Sequence, residues 1–345
     1  YHEVQGRLVE GQALLRPALK LPAGDAGAQR AGAVMRNALA MLSMRLGHLD
    51  DARELAQAAI TTGQQLQDVT AQTGGWLVLG NCALVAGQLE QARAALQQAL
   101  ACARAAGDRH GMATATGNLG ILEKRMGHAD AALALYRQAL EVERELDNQQ
   151  QVAMHLNNIA ALQSSLGQWD AALQTIGEAR SHCQRHGVAL LLPYLAFNHG
   201  VVALEQGQMA DARLRFDETL AAARHGGQRQ LELGAEIGLA RVDVATGAAA
   251  KALPVLARVA ALARADGMGV LAADTVGSAG EALLALGRMA AAARCLAAAA
   301  GHAAADARAR ARWAAALQAL PGPVPASPPE AFEDCLQQLI AGRFG

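Results

Sequence analysis

A glycine recurs every 40 residues through most of this 345-residue chain. The series comprises Gly47, Gly87, Gly127, Gly167, Gly207, Gly247 and Gly287. Alanine stands five residues after each of these glycines, and alanine or glycine stands seven residues before each. A long-period repeat of this kind is typical of chains that stack many copies of one small unit, each contacting its neighbours. The repeat therefore predicts a stack of similar units.

Each unit is predicted to contain two helices, A and B, on either side of the period glycine. A glycine in the left-handed region ends a helix without steric penalty and opens a tight turn. A second glycine follows the first by twenty residues at 107, 187, 227 and 267, where it would end helix B. A glycine such as Gly120 inside helix A weakens the helix by about 1 kcal/mol relative to alanine. We therefore expect helix B to approach closely there, with Ala132 as the opposing surface.

Composition supports an all-α fold. Hydrophobic residues make up 52% of the chain but aromatic residues only 3%, which suits closely spaced helices better than a sheet. The net charge of -1 gives no global attraction to nucleic acid or to an anionic membrane. The longest apolar candidate, residues 187–197, is too short to span a membrane and contains Pro193. Five cysteines without a CxxC pair argue against a disulfide framework or a zinc cluster, and indicate a cytoplasmic protein.

The spacing of Leu119–Gly120, Gly127, Ala132, Tyr136 and Ala139 resembles the tetratricopeptide repeat. The unit here is 40 residues rather than the usual 34 or so, as in the longer variants of kinesin light chains and bacterial signalling proteins. HEAT repeats also reach this length, but we would not expect this ladder of small residues in them. The resemblance implies an all-α, right-handed α-solenoid of about seven helical hairpins with a C-terminal capping helix, and no cofactor.

The repeat phase and the prolines predict the domain limits. Ser327 stands where an eighth period glycine would fall, and five prolines lie between residues 321 and 329, where they preclude a helix. We predict the arginines at 308, 310 and 312 to form a solvated face of the capping helix. The predicted segments are a partial repeat (1–27), seven repeats (28–305), a capping helix (306–320), a Pro-rich linker (321–329) and a last helix (330–345) that covers the stack end.

The candidate ligand site is a stripe on the A helices, formed by the residues 13, 9, 6 and 2 positions before each period glycine. We call this set the helix-A stripe. Its spacing of four, three and four residues gives one helix face, predicted to point away from the core. In the resembled family this face lines a concave groove. Asparagine occupies the nine-before position at 118, 158 and 198, and an amide can both donate to and accept from an extended peptide.

Other candidate ligand-binding residues lie on or beside the stripe. They are Arg45, Asn81, Lys124, Arg125, Asn157, Tyr194, Phe197 and Arg241, with Glu205 and Glu281 on the same face. Alternatives remain for several of them. The asparagines could be solvated surface residues, Tyr194 and Phe197 could pack between repeats, and Lys124 and Arg125 could form a solvated basic face.

No motif predicts catalysis or metal binding. His182 and His186 have i, i+4 spacing with Cys183 between them, but no third ligand is local and no HExxH is present, so we interpret them as a solvated pair. His199 occupies a core position and is interpreted as a buried histidine. The sequence also lacks a GxxxxGK[ST] loop and a GxSxG motif. The chain is therefore predicted not to be an enzyme.

These features predict a protein- or peptide-binding module. We expect it to be the sensor or interaction domain of a larger bacterial signalling or transcriptional regulator, with a protein, a peptide or other domains of its own chain as partner. Direct binding of nucleic acid, membrane or metal is not expected. The alternatives are a self-associating scaffold and a regulatory domain for a small effector. The sequence leaves the oligomeric state and the ligand open.

Overall fold

A computed structural model describes residues 10–17, 24–302, 305, 307–320 and 330–344. Within these ranges the regular structure is entirely helical, which confirms the predicted all-α solenoid of tetratricopeptide-like hairpins. The predicted Pro-rich linker, 321–329, lies outside the described residues, as does most of the predicted partial repeat. In that partial repeat, residues 10–17 form a helix, α1.

Fourteen helices form seven consecutive A/B hairpins, and two more follow them. The hairpins are α2 (Ala26–Arg45) with α3 (Leu49–Gln65), α4 (Val69–Val85) with α5 (Leu89–Ala106), α6 (Arg109–Arg125) with α7 (Ala129–Glu145), α8 (Gln149–Ser165) with α9 (Trp169–His186), α10 (Leu192–Glu205) with α11 (Met209–His225), α12 (Arg229–Ala245) with α13 (Ala249–Ala265), and α14 (Gly269–Ala285) with α15 (Met289–Gly301). The last two are α16 (Ala307–Gln318) and α17 (Glu330–Ile340), and a 3-10 turn, Ala189–Leu191, precedes α10.

The period glycines end the A helices as the sequence predicts. All seven have a positive φ, between 72° at Gly87 and 84° at Gly127. The predicted second series also has positive φ, for example 64° at Gly107. In two repeats without that glycine, Gln67 (φ 52°) and Asp147 (φ 55°) adopt the same left-handed conformation. The backbone geometry of the connection from helix B to the next helix A is thus retained in repeats that lack the glycine.

The A and B helices of a hairpin touch at the small residue seven before the turn. A Cβ on Gly120 would lie 2.7 Å from the Tyr136 ring, and one on Gly200 would lie 2.9 Å from the Phe216 ring. The predicted close approach is therefore present, but the opposing group is mainly the bulky residue of helix B. Ala132 contributes its carbonyl, 3.4 Å from the Gly120 position, and is itself fully buried.

The described residues divide into two compact units. Unit 1 belongs to the ranges Tyr1–Leu162 and Ser181–Ala189, and unit 2 to Gln163–Arg180 and Leu190–Gly345. In unit 1, small core clusters form between consecutive hairpins, such as Ala40, Ala52 and Ala56 with Val78. Each of these clusters joins one hairpin to the next.

Unit 2 contains a large continuous core at its C-terminal end. The helices α12 to α17 contribute to it, and α17 packs against α13, α14 and α15 through Cys335, Leu336 and Leu339. Trp313 of α16 is fully buried in this core, where its ring lies over Gly277 of α14. The prediction that the α16 arginines form a solvated face is wrong for two of the three, since Arg308 and Arg312 have side chains only 29% and 27% exposed.

Candidate binding surface on the A helices

The nine-before position of the helix-A stripe lies partly between consecutive helices. Val78 is 1% exposed within the core cluster of the first two hairpins. A Cβ on Gly238 would lie 2.6 Å from the Phe216 ring, and Ser278 is buried. These three residues correct the expectation that the whole stripe points away from the core. The asparagines of this position, Asn118, Asn158 and Asn198, are half-buried.

In unit 1, exposed apolar side chains lie at stripe positions 13, 6 and 2 before a period glycine. Val34 is 58% exposed, Met41 is 41% exposed and Val85 is 61% exposed. Arg45 is exposed in the last turn of α2, and Asn81 is half-buried on α4. The surface of α2 and α4 is therefore a mixed one, in which apolar side chains alternate with polar and basic groups.

The two basic candidates at the end of α6 differ in their contacts. Arg125 donates from Nη1 to the carbonyl oxygen of Leu84, near the C-terminus of α4. A guanidinium is favoured there because the last carbonyls of a helix carry the negative end of its dipole, and the Leu84 oxygen, which already accepts from the Gly87 N–H, has a second lone pair. Arg125 thus links two consecutive A helices. Lys124 is exposed beside it.

The aromatic candidates on α10 lie in unit 2. The rings of Phe197 and Phe216 meet edge to face with centroids 5.8 Å apart. A Cβ on Gly234 of α12 would lie 3.3 Å from the same Phe197 ring. Phe197 therefore packs between two hairpins, the alternative that the sequence left open. Tyr194 is exposed, and Asn157 of unit 1 is half-buried.

Five charged side chains meet on the stripe of unit 2. Arg241 donates to Glu205 Oε1 at 2.7 Å, and its Nε lies 3.9 Å from Glu281. Arg312 donates to Glu281 at 2.6 Å and to Glu205 Oε1 at 3.4 Å. Arg308 donates to Glu205 Oε2 at 2.8 Å. The predicted ligand residue Arg241 therefore already has internal partners, and two of the arginines come from α16, more than 100 residues along the chain from Glu205.

The arginines control the ionisation of this cluster. Burial by itself raises the pKa of Glu205, but Arg241, Arg312 and Arg308 outweigh this effect, and the net pKa lies below the usual value. For Arg312, burial lowers the pKa and the neighbouring Glu281 and Glu205 raise it, with a net increase. Both groups are consequently charged at neutral pH, as a hydrogen-bonded, partly buried ion cluster requires.

Arg308 makes two further contacts at the start of the fourth repeat turn. Its Nη1 donates to the carbonyl oxygen of Ser164 at 2.9 Å, and its guanidinium lies 3.9 Å from the centre of the Trp169 ring. This arrangement combines a carbonyl, a carboxylate and an aromatic face around one guanidinium. We call Ser164, Trp169 and Glu205 the guanidinium cage.

The match to known families decides the identity of the repeat. A family model described as the tetratricopeptide repeat matches residues 75–145 and 112–185. These ranges cover most of the α4 to α9 region, in which the small residue of helix A meets the bulky residue of helix B, as at Gly120 and Tyr136. Residues 75–185 are therefore tetratricopeptide repeats. No curated protein sequence matches the chain significantly.

Solved structures share the tetratricopeptide fold at low sequence identity. A Rap protein complexed with competence and sporulation factor has a TM-score of 0.65 and 13% identity, covering 92% of this chain and 78% of that one. Aspartyl phosphate phosphatase F from Bacillus subtilis has a TM-score of 0.61 and 11% identity, with 87% and 74% coverage. A signal transduction ATPase of the STAND class from Pyrococcus horikoshii, with a tetratricopeptide sensor, has a TM-score of 0.56 and 12% identity, covering 93% of this chain but 45% of that one.

The three histidines singled out by the sequence differ in burial and contacts. His182 is buried and its Nε2 lies 3.0 Å from the Gln149 carbonyl oxygen, so the interpretation of a solvated pair is wrong for this residue. His186 is exposed, and the two rings are 4.5 Å apart. His199 is half-buried with Nε2 3.1 Å from Asp211. No group of three potential metal ligands occurs among the described residues.

None of the described helices is long and apolar enough to cross a membrane. Sequence reasoning missed the guanidinium cage because Ser164, Trp169 and Glu205 belong to different elements, and Arg308, which contacts all three, lies 144 residues beyond Ser164. One signal was present, since Arg308 and Arg312 have the i, i+4 spacing that brings two side chains to the same helix face.

Proposed function

We propose that this protein binds a segment of another protein along its A helices, and that the stripe of unit 1 accepts a segment with apolar and acidic side chains. The observation that carries this proposal is the exposure of Val34, Met41 and Val85 on one helix stripe. Tetratricopeptide repeats are generally interaction modules, which favours binding over catalysis.

The apolar part of the proposal follows from how these three side chains are distributed. Single exposed apolar residues are common on protein surfaces, but several on one face indicate a contact surface. Met41 is also flexible and polarizable, which suits contact with apolar side chains of different shapes. A segment that covered Val34, Met41 and Val85 would remove their apolar area from water, and this burial would favour binding.

The expectation of acidic side chains in the ligand follows from the charges on the stripe. The twelve stripe positions on α2, α4 and α6 include Arg45 and Arg125 but no aspartate or glutamate, and Lys124 adjoins them. Arg125 retains donors beyond the one on Leu84, because a guanidinium carries five N–H groups. A carboxylate on the ligand would complement these cations, whereas a basic segment would meet like charge.

We also propose that the chain is the sensor or interaction domain of a longer regulator. The similar Rap protein was solved with a bound factor, and the similar STAND ATPase carries its tetratricopeptide repeats as a sensor. The complete reading frame tests this part directly. A nucleotide-binding or DNA-binding domain in the same frame is the expected result, and a frame that encodes repeats alone would contradict it.

The binding surface can be tested without knowing the natural partner. A library of random peptides displayed on phage would be selected against the immobilised chain, and the affinity of enriched peptides measured by isothermal titration. We expect enriched sequences to combine Asp or Glu with large apolar residues. Arg45→Glu should weaken their binding at least tenfold. Adding Asn81→Ala to Arg45→Glu should weaken binding further.

Arg104→Glu is the matched control for Arg45→Glu. Both arginines are exposed and lie in the last turn of a helix, but Arg104 is on helix B, α5, away from the stripe. The two charge reversals therefore disturb the helix dipole alike. Equal loss of affinity in both variants, or enrichment of basic peptides, would contradict the proposed surface.

A further inference from the structure

We infer that the guanidinium cage of Ser164, Trp169 and Glu205 is a second binding site, specific for an arginine side chain, and that Arg308 of the chain itself fills it until an arginine of a partner replaces it. This site lies within unit 2 and has the opposite chemistry to the stripe of unit 1. The inference goes beyond the proposed function, since the cage can be tested with a small probe whether or not the unit 1 stripe binds anything.

The geometry of the cage is that of a guanidinium receptor. Three different groups contact the Arg308 head: the Trp169 ring at 3.9 Å, the Ser164 carbonyl oxygen at 2.9 Å and the Glu205 carboxylate at 2.8 Å. A planar fork can stack on a ring and donate two separate hydrogen bonds at once, whereas a lysine ammonium has no plane to stack. The arrangement therefore selects arginine.

The cage is open to solvent. The Arg308 side chain is 29% exposed, and the Trp169 side chain is half-buried at the first position of α9. Arg308 is also the second residue of α16, so its side chain can leave the cage while the rest of the helix stays in place. The fully buried Trp313 holds α16 on α14 independently. Exchange of one side chain is thus separate from unfolding of the helix.

The charges around Glu205 keep the free-energy cost of removing Arg308 from the cage low. With Arg308 in place, the cluster holds three arginines and two glutamates, and Asp274 lies near enough to Arg312 to raise its pKa. When Arg308 leaves, Glu205 keeps two cationic partners, Arg241 at 2.7 Å and Arg312 at 3.4 Å. Loss of a partner is most costly when it leaves a buried charge uncompensated, which does not happen here. The occupant of the cage is therefore the one arginine of the cluster that can be exchanged.

The contact between Arg308 and the Ser164 carbonyl resembles one elsewhere in the chain. In unit 1, Arg125 donates to the carbonyl of Leu84, the third residue before its period glycine, and Ser164 holds the same position before Gly167. Arg125 belongs to the directly following hairpin, but Arg308 lies 144 residues beyond Ser164. A guanidinium at this carbonyl is thus a recurrent contact, and in unit 2 it is supplied by a distant segment.

The test uses the full chain and three capped tripeptides, Ac-Ala-Xaa-Ala-NH2, with Xaa arginine, lysine or citrulline. Citrulline has the shape of arginine without its charge. Binding is measured by isothermal titration to wild type, Arg308→Ala and Arg310→Ala. Arg310 lies on the same helix but donates to the carbonyls of Ala300, His302 and Ala305, so it is the matched control.

We expect Arg308→Ala to bind the arginine peptide at least tenfold more tightly than either wild type or Arg310→Ala binds it. Arg308→Ala should also bind the arginine peptide at least tenfold more tightly than the lysine or citrulline peptide. Adding Trp169→Ala should abolish this gain, and adding Arg45→Glu should leave it unchanged, which separates the cage from the unit 1 stripe. Arg308→Lys, which keeps the charge but loses the fork, is a second variant that lacks the guanidinium.

Equal binding of the arginine and citrulline peptides to Arg308→Ala would overturn the inference. So would equal binding of the arginine peptide to wild type and Arg308→Ala. If neither Arg308→Ala nor Arg308→Lys folded, by circular dichroism, Arg308 would be a structural residue and the inference would likewise be wrong.

Discussion

The indole ring of Trp313 occupies the space in which Gly277 would carry a side chain. A Cβ on Gly277 would lie 2.1 Å from Cε2 of the ring, well inside van der Waals contact. Because Trp313 is fully buried and belongs to α16, this contact holds α16 against α14. The glycine is therefore required by a neighbouring side chain and not by its own backbone conformation.

Gly277→Ala should therefore destabilise the protein. A methyl group at this position displaces the Trp313 ring from a packed core, and overpacking of this kind costs about 1–3 kcal/mol or more. Urea unfolding followed by circular dichroism measures the loss. Gly177→Ala is the control, since Gly177 is also helical but has nothing within 4 Å of its added Cβ. That substitution should stabilise by roughly 0.5–1 kcal/mol through helix propensity. Equal effects of the two substitutions would contradict the assigned contact.

Gln67→Gly and Asp147→Gly should each stabilise the chain. Both residues have positive φ at the end of a B helix, where other repeats place glycine. A side chain in the left-handed region costs about 1–2 kcal/mol, and replacing the residue by glycine removes this cost. The greater conformational freedom of glycine in the unfolded chain offsets part of that gain. We expect a net gain of roughly 0.5–1 kcal/mol for each variant in urea unfolding. Lower stability of Gln67→Gly would show that its side chain makes a compensating contact.

The reverse substitution, Gly47→Ala, should cost about 1 kcal/mol. Gly47 has φ 83° and no atom within 4 Å of an added Cβ, so the cost would come from the backbone conformation alone. A neutral effect would contradict this account of the period glycines.

The repeat architecture could be predicted from the sequence because its determinants are local. The turn at Gly127, the small residue Gly120 and the bulky Tyr136 lie within 17 residues of each other, and the pattern recurs in every unit except that the first has Ala56 at the bulky position. Periodicity repeats the same information seven times. The helix limits, the left-handed turns and the close approach within each hairpin follow from these few positions.

The candidate site was less accessible to prediction because it depends on contacts between units of the repeat. The position of Asn118 was interpreted as facing a groove, but the equivalent Val78 and Gly238 pack against neighbouring helices. Arg308 was interpreted as solvated, since nothing local to α16 indicates Glu205 or Trp169 as a partner. A helical face can be read from a sequence, whereas the neighbour that covers it depends on the packing of distant segments.

Stability should fall between pH 6.5 and pH 4 through His155. Burial, followed by the nearby His110, lowers the pKa of His155 from 6.5 to about 4. A depressed pKa means that the neutral form is favoured on folding, so this stability is fully present above pH 6.5 and is lost as the pH falls towards 4. The loss over this window is roughly 3 kcal/mol.

His155→Leu should remove that part of the pH dependence. From pH 7 to pH 4, the unfolding free energy of wild type should fall by roughly 3 kcal/mol more than that of the variant. Parallel pH profiles for the two proteins would show that His155 does not titrate differently on folding.

Glu205→Gln should destabilise the protein at pH 7 by about 1.5–3 kcal/mol, because three arginines lose a charged acceptor. The pKa of Glu205 is lowered from its ordinary value of 4.5, so its stabilisation is present above that pH and is lost as the pH falls below it. The difference between wild type and variant should therefore shrink below pH 4.5. Glu54→Gln, on an exposed part of α3, is the control and should change stability little at either pH.

The central claim, that the helix-A stripe of unit 1 binds a protein segment, is tested most directly by one ratio of affinities. A peptide selected on the wild-type chain is titrated against Met41→Gln/Val85→Gln and against Leu214→Gln/Met289→Gln. The second pair has comparable exposure, 52% and 46%, but lies on the B helices α11 and α15. We expect the stripe variant to bind at least tenfold more weakly than wild type and the control variant to bind like wild type. Equal affinity for all three proteins would contradict the claim.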